Sequence, residues 1–135
     1  MKTIELRPDQ PFDLDLTLSC GQAFRWERTD GWWQGVADGR AIRIRQDGCF
    51  LTFEGADAGF VRDYFRLDQD LPRILSSIDR DPAIGAAVQE CRGLRLVRQQ
   101  PWECLVSYLC ATNTNIPAVK RRVALMAECY GDPVD

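Results

Sequence analysis

In residues 109–122, LCATNTNIPAVKRR, two asparagines stand one residue apart and are followed by a proline and three consecutive bases. A carboxamide offers two donors and an acceptor at short reach. Lys120, Arg121 and Arg122 offer positive charge to an anionic partner. The same asparagines could serve only as helix caps, the commoner use of Asn at such a junction. Other chemistry is sparse. The sequence contains no histidine, which removes the hydrolase triads that need an imidazole base. Six cysteines, at positions 20, 49, 91, 104, 110 and 129, form no C-x-x-C pair. The usual zinc patterns cannot be assembled from them, and neither a metal nor a cofactor is expected. They read as reduced, small core residues. The only lysines are Lys2 and Lys120, and Lys120 lies in a solvated basic run that does not favour a nucleophilic role.

Charge is unevenly placed around these groups. The chain of 135 residues carries a net charge of −3 and a pI near 5.0, not the basic excess of a domain devoted to phosphate. Residues 92–122 nevertheless hold Arg92, Arg95, Arg98, Lys120, Arg121 and Arg122 against Glu103 alone. An anionic partner is therefore expected to meet the C-terminal half. No signal peptide and no apolar run of membrane-spanning length is present, so the sequence reads as a cytoplasmic protein, nucleoid-associated if prokaryotic.

The elements that must position these residues fall into two kinds. Residues 4–7, 24–28, 32–37, 40–45 and 49–53 read as strands, and Asp30-Gly31, Asp38-Gly39 and Asp47-Gly48 between them are hairpin signals. Ile42 and Ile44 share one face of that meander while Arg43 and Arg45 share the other, which should be wet or cover a partner. The pattern then becomes helical. Residues 57–66 and 71–78 form two short helices, and Asp81-Pro82 opens a third that closes at Gly93. Pro101 begins a helix with Trp102, Leu105, Val106 and Leu109 in one apolar stripe. Asn115-Pro117 begins another with Ile116, Val119, Val123, Met126 and Tyr130 facing inward. Strands followed by helices imply an α+β fold, with a helical domain beginning near residue 100.

Four stretches in order, DLTLSCGQAFRW at residues 15–26, WQGV at 33–36, VRDYFRLDQDL at 61–71 and QQPWECLVSYLCATNTNIPAVKRRV at 99–123, resemble the 8-oxoguanine DNA glycosylases. The resemblance implies a twisted antiparallel sheet with flanking helices, similar to the TATA-binding protein, over residues 1–99. Residues 100–135 would then start an all-helical glycosylase domain, ending before its helix-hairpin-helix. It implies a monomer that acts on double-stranded DNA containing 8-oxoguanine, in base excision repair by a glycosylase with AP lyase activity. The family's lysine nucleophile lies beyond the matched stretches, so these 135 residues alone are expected to be inactive. Alternatives are an alkyl-base glycosylase of the same superfamily and a non-catalytic DNA-binding or interaction module.

The resemblance also assigns residues. Gly21, otherwise a turn glycine at a helix exit, matches a glycine whose carbonyl accepts a hydrogen bond from N7–H of 8-oxoguanine. Unmodified guanine presents a bare acceptor there and is repelled. Asn113 matches the residue that fills the hole left by the extruded base and pairs with the estranged cytosine. Asn115 is read as a cap. Gln22, Phe24 and Trp26 are read as core around Gly21. Lys120, Arg121 and Arg122 are placed beside the bent duplex as backbone contacts. Ala118 stands where many members have a cytosine-reading arginine, which leaves opposite-base reading to Asn113 or to the bases one turn further on.

Overall fold

The structure is a computed structural model that describes residues 1–134. Five strands, β1 (Lys2–Glu5), β2 (Trp26–Thr29), β3 (Trp32–Ala37), β4 (Arg40–Asp47) and β5 (Phe50–Glu54), form one antiparallel sheet in the order β1-β5-β4-β3-β2. Two hairpins follow directly from local chemistry. Asp30-Gly31 and Asp38-Gly39 place both residues at positive φ, the tight reversal that matches the right-handed twist of the strands it joins. β1 starts two residues earlier than the alternation of residues 4–7 suggests. It pairs Ile4 with Leu51 of β5 and forms one edge of the sheet.

One sheet face carries the core. Ile42, Ile44, Leu51 and Phe53 are buried there with Trp26, against Leu14 and Leu18 of α1 (Leu14–Ser19) and Val61 and Phe65 in and just after α2 (Ala58–Tyr64). Full burial of each such side chain contributes about 1.5–3 kcal/mol. The Trp26 indole also donates to the Tyr64 hydroxyl at 2.9 Å, which satisfies its one polar atom inside the core. On the opposite face, Arg43 and Arg45 lie over the Trp32 ring, at 4.3 and 4.6 Å from its centroid. The arginines of the alternating strand thus cover an aromatic ring as well as facing water.

Four more helices follow: α3 (Leu71–Ile78), α4 (Pro82–Glu90), α5 (Pro101–Cys110) and α6 (Ile116–Tyr130). Between α4 and α5 an extended strap, residues 93–99, crosses α1 and α2 with its backbone bonded at each step. Gly93 O accepts from Asp13 N, Arg95 N donates to Thr17 Oγ1, Val97 N to Gln22 Oε1 and Arg98 N to Tyr64 O. These bonds fix where α5 begins relative to the sheet.

Three expectations need correction. The cysteines are not core residues: among those described, Cys110 is half-buried and the other five are exposed. Cys20, Cys91 and Cys110 sit at helix ends and Cys49 at the β4–β5 turn, where the chain runs over the surface. The apolar stripes of α5 and α6 exist but are only partly inward. Val119 and Val123 are buried, whereas Trp102 is 66% and Tyr130 88% exposed. A stripe is buried only as far as a partner surface reaches, and these two helices meet mainly each other and the rim of the sheet. Finally, Arg95 is 3% exposed and spends its charge inside the molecule, while Arg98 pairs with Asp63. Neither is free to form a basic surface.

Candidate nucleic-acid interface

The first half of the site is the exit of α1. Asp13 caps the helix by accepting from Leu16 N at 2.8 Å, and Cys20 N closes the last turn on Leu16 O at 3.2 Å. The chain must then turn sharply, and Gly21 does so at φ +86°, a region where a Cβ is strained. A Cβ on Gly21 would lie 3.0 Å from Ile116 Cδ1, the first residue of α6. Residues far apart in sequence are thus brought into contact. The Gly21 carbonyl accepts no hydrogen bond among the described residues. Trp26, read as core, is buried; Gln22 and Phe24 are half-buried.

The second half is the α5–α6 turn. Thr112 Oγ1 donates to Leu109 O at 2.8 Å and Arg122 Nη1 to Cys110 O at 2.8 Å, which satisfies carbonyls that a helix end leaves open. Asn113 then adopts φ +51°, the left-handed conformation that Asn tolerates better than most residues. Its side chain is exposed and forms no hydrogen bond within the chain among the described residues. Asn115, by contrast, caps α6, its Oδ1 accepting from Ala118 N at 3.0 Å. One asparagine is consumed by local structure. The other, three residues before Ile116, presents a carboxamide with no partner among the described residues.

The three consecutive bases separate around α6. Arg122 turns back to Cys110. Lys120 and Arg121 line a groove of about 720 Å³ between α6 and the outer face of the sheet, opposite Gln34, Arg43 and Glu54. Ala124 and Ala127 also line it, and their small side chains leave that space open. On the α5 side, Glu103 reaches Arg25 at 3.6 Å and the Asp38 amide at 3.5 Å, tying the helix pair to the sheet. Reasoning from residue pattern missed the strap contacts of Gln22, Arg95 and Gln99. Their partners lie up to 85 residues away, and no periodicity marks them.

This fold, with a glycine turn set against the start of a helix, agrees with the class suggested by the sequence. The family model for the N-terminal domain of 8-oxoguanine DNA glycosylases matches residues 5–105. The chain belongs to that family. It is 29% identical over 122 residues to the N-glycosylase/DNA lyase OGG1 of Arabidopsis thaliana, covering 82% of this chain and 33% of that protein. It is 27% identical over 133 residues to the N-glycosylase/DNA lyase of Saccharomyces cerevisiae, covering 85% and 35%. Among solved structures, MBOgg1 in complex with a low-affinity DNA ligand superposes with a TM-score of 0.89 at 30% identity, covering 100% of this chain and 48% of that one. The Clostridium acetobutylicum 8-oxoguanine glycosylase/lyase superposes with 0.89 in its apo form, at 26% identity and with coverage of 100% and 49%. The chain therefore spans about a third of the length of the curated relatives it matches and about half of the solved ones.

Proposed function

We propose that these residues form the lesion-reading part of a DNA glycosylase/AP lyase that removes 8-oxoguanine from duplex DNA, with residues 100–135 opening its helical domain. One observation carries the reading. Gly21, whose carbonyl accepts no hydrogen bond among the described residues, lies against Ile116, three residues after Asn113, whose carboxamide is likewise unengaged among them. Extruding a base costs a few kcal/mol and leaves both a flipped base to be recognised and a hole to be filled. In this reading the Gly21 carbonyl accepts from N7–H of 8-oxoguanine. It meets only a lone pair on guanine, so a single backbone group separates lesion from normal base. Asn113 enters the vacated space and offers donor and acceptor to the estranged cytosine. Lys120 and Arg121 meet backbone phosphate, and Arg122 contributes through the guanidinium nitrogens that Cys110 does not use.

Fluorescence anisotropy with a duplex carrying 8-oxoguanine opposite cytosine, and with its guanine counterpart, tests this on the chain itself. Tighter binding to the lesion is expected. Asn113→Ala should weaken lesion binding by about 1–3 kcal/mol, the range of one good base contact. Lys120→Gln should weaken both duplexes equally and flatten the salt dependence by about one unit of slope. Equal affinity for both duplexes, unchanged by Asn113→Ala, would overturn the reading.

A separate expectation concerns chemistry. Lyase catalysis by a lysine requires a positioned, partly neutral amine, and Lys120 faces an open groove beside Arg121. The 135 residues alone are expected neither to release 8-oxoguanine nor to form a borohydride-stable adduct with DNA. Mass spectrometry placing an adduct on Lys120 would show otherwise.

A further inference from the structure

Gly21 has the least restrained backbone of any residue type, and its own carbonyl is unbonded among the described residues. Something else must set the direction of that carbonyl. The neighbouring Gln22 uses every polar atom of its side chain on the protein. Nε2 donates to Thr17 O at 2.9 Å and to Arg95 O at 2.8 Å, and Oε1 accepts from Val97 N at 2.9 Å. Its backbone carbonyl accepts from Gln99 Nε2 at 2.6 Å. One side chain thereby joins the end of α1, the Gly21 turn and the strap that leads into α5. The strap is itself locked, since Arg95 N donates to the fully buried Thr17 hydroxyl at 3.2 Å.

We infer that Gln22 is a positioning residue: it fixes the orientation of the Gly21 carbonyl and the spacing between Gly21 and the helix pair that carries Asn113. A carboxamide is required because two carbonyls need donors and one amide needs an acceptor. Glutamate, with the same shape, would accept from Val97 N but turn a carboxylate oxygen towards Thr17 O and Arg95 O. Methionine fills the volume and satisfies none of them. That the oriented carbonyl reads the lesion rests on the function proposed above; that Gln22 orients it does not.

The test uses the whole chain with carbon-13 and nitrogen-15 labels, comparing Gln22→Met, Gln22→Glu and Gln99→Ala with the parent. Gln99→Ala removes only the bond to the Gln22 carbonyl and retains the core, so it remains informative if the Gln22 variants unfold. The expected result is a fall in the backbone order parameter at residues 20–23 from about 0.85 towards 0.6 or below. Loss of the Gly21–Ile116 proton contact should accompany it, with the β-sheet resonances unmoved. Gln22→Glu should be as damaging as Gln22→Met. Unchanged order at Gly21 in folded Gln22→Met, or in Gln99→Ala should the Gln22 variants unfold, would overturn the inference. Full retention by Gln22→Glu would overturn the need for donors. The same variants are then titrated with the lesion and guanine duplexes. A lesion preference that drops towards one while affinity for undamaged DNA holds connects the clasp to base reading. A disordered Gly21 with intact preference leaves the positioning role standing and removes Gly21 from recognition.

Discussion

Gly21→Ala is expected to destabilise the chain by about 1–2 kcal/mol, the cost of placing a side chain in the left-handed backbone region. In a longer glycosylase built on these residues it should also slow excision of 8-oxoguanine at least about tenfold. Two strains act together. The residue sits at φ +86°, and the added Cβ would lie 3.0 Å from Ile116 Cδ1. The Ile116 methyl is the end of a flexible side chain, so it can retreat by a few tenths of an ångström; the backbone can relieve its strain only by rotating. Rotation swings the carbonyl proposed above to meet N7–H. A lost or misdirected hydrogen bond to a base costs about 1–3 kcal/mol, and about 1.4 kcal/mol already corresponds to tenfold. Urea denaturation and single-turnover excision measure the two effects. Ile116→Val in the alanine background relieves the contact but not the φ. Recovery in that double variant would make the defect one of crowding. Wild-type excision by Gly21→Ala would reduce Gly21 to a turn residue.

Arg95→Met is expected to cost about 3–5 kcal/mol of folding stability, a large share of the roughly 5–15 kcal/mol that holds a domain together. The guanidinium is buried and is held below the usual arginine pKa by that burial, partly offset by Asp68. Arginine tolerates this because its pKa starts so high that the group stays charged. Nη1 donates to Arg66 O at 2.7 Å and Gln69 O at 3.0 Å, Nε to Pro11 O at 3.3 Å and Nη2 to Gln10 Oε1 at 3.3 Å. Methionine fills much of the space and leaves three carbonyls without this donor. Each unsatisfied buried group costs about 1–3 kcal/mol, less where water can enter. Arg95→Lys keeps the charge but has a point-like ammonium in place of a planar fork, so it should recover less than half of the loss. Urea unfolding of the three proteins decides the matter. A loss below about 1 kcal/mol for Arg95→Met would show that water replaces the guanidinium.

Much of the fold could be read from neighbouring residues because its causes are local. Asp-Gly pairs reverse the chain, alternation sorts Ile42 and Ile44 from Arg43 and Arg45, and Asn115 caps the helix that follows it. These determinants act within a few residues, and the strands, hairpins and helices fell close to where they were expected. Resemblance to a family, not spacing, pointed to Gly21 and Asn113, since a turn glycine and a junction asparagine look the same whether or not they serve a ligand. Long-range placement was not legible. Arg95 belongs to a run of bases in the sequence, yet three carbonyls from two segments of backbone close around it and make it the centre of a buried hydrogen-bond network. Lys120, Arg121 and Arg122 are consecutive, yet helical rotation of about 100° per residue sends two to the groove and one back to α5. Stripes and small thiols mark what a segment can bury, and only the arrangement of the other elements decides whether anything covers them. The contact of Gly21 with Ile116 is of this second kind. Local sequence determined the turn and the cap at its two ends, and only the strap, held by Gln22 and Arg95, decided that they meet.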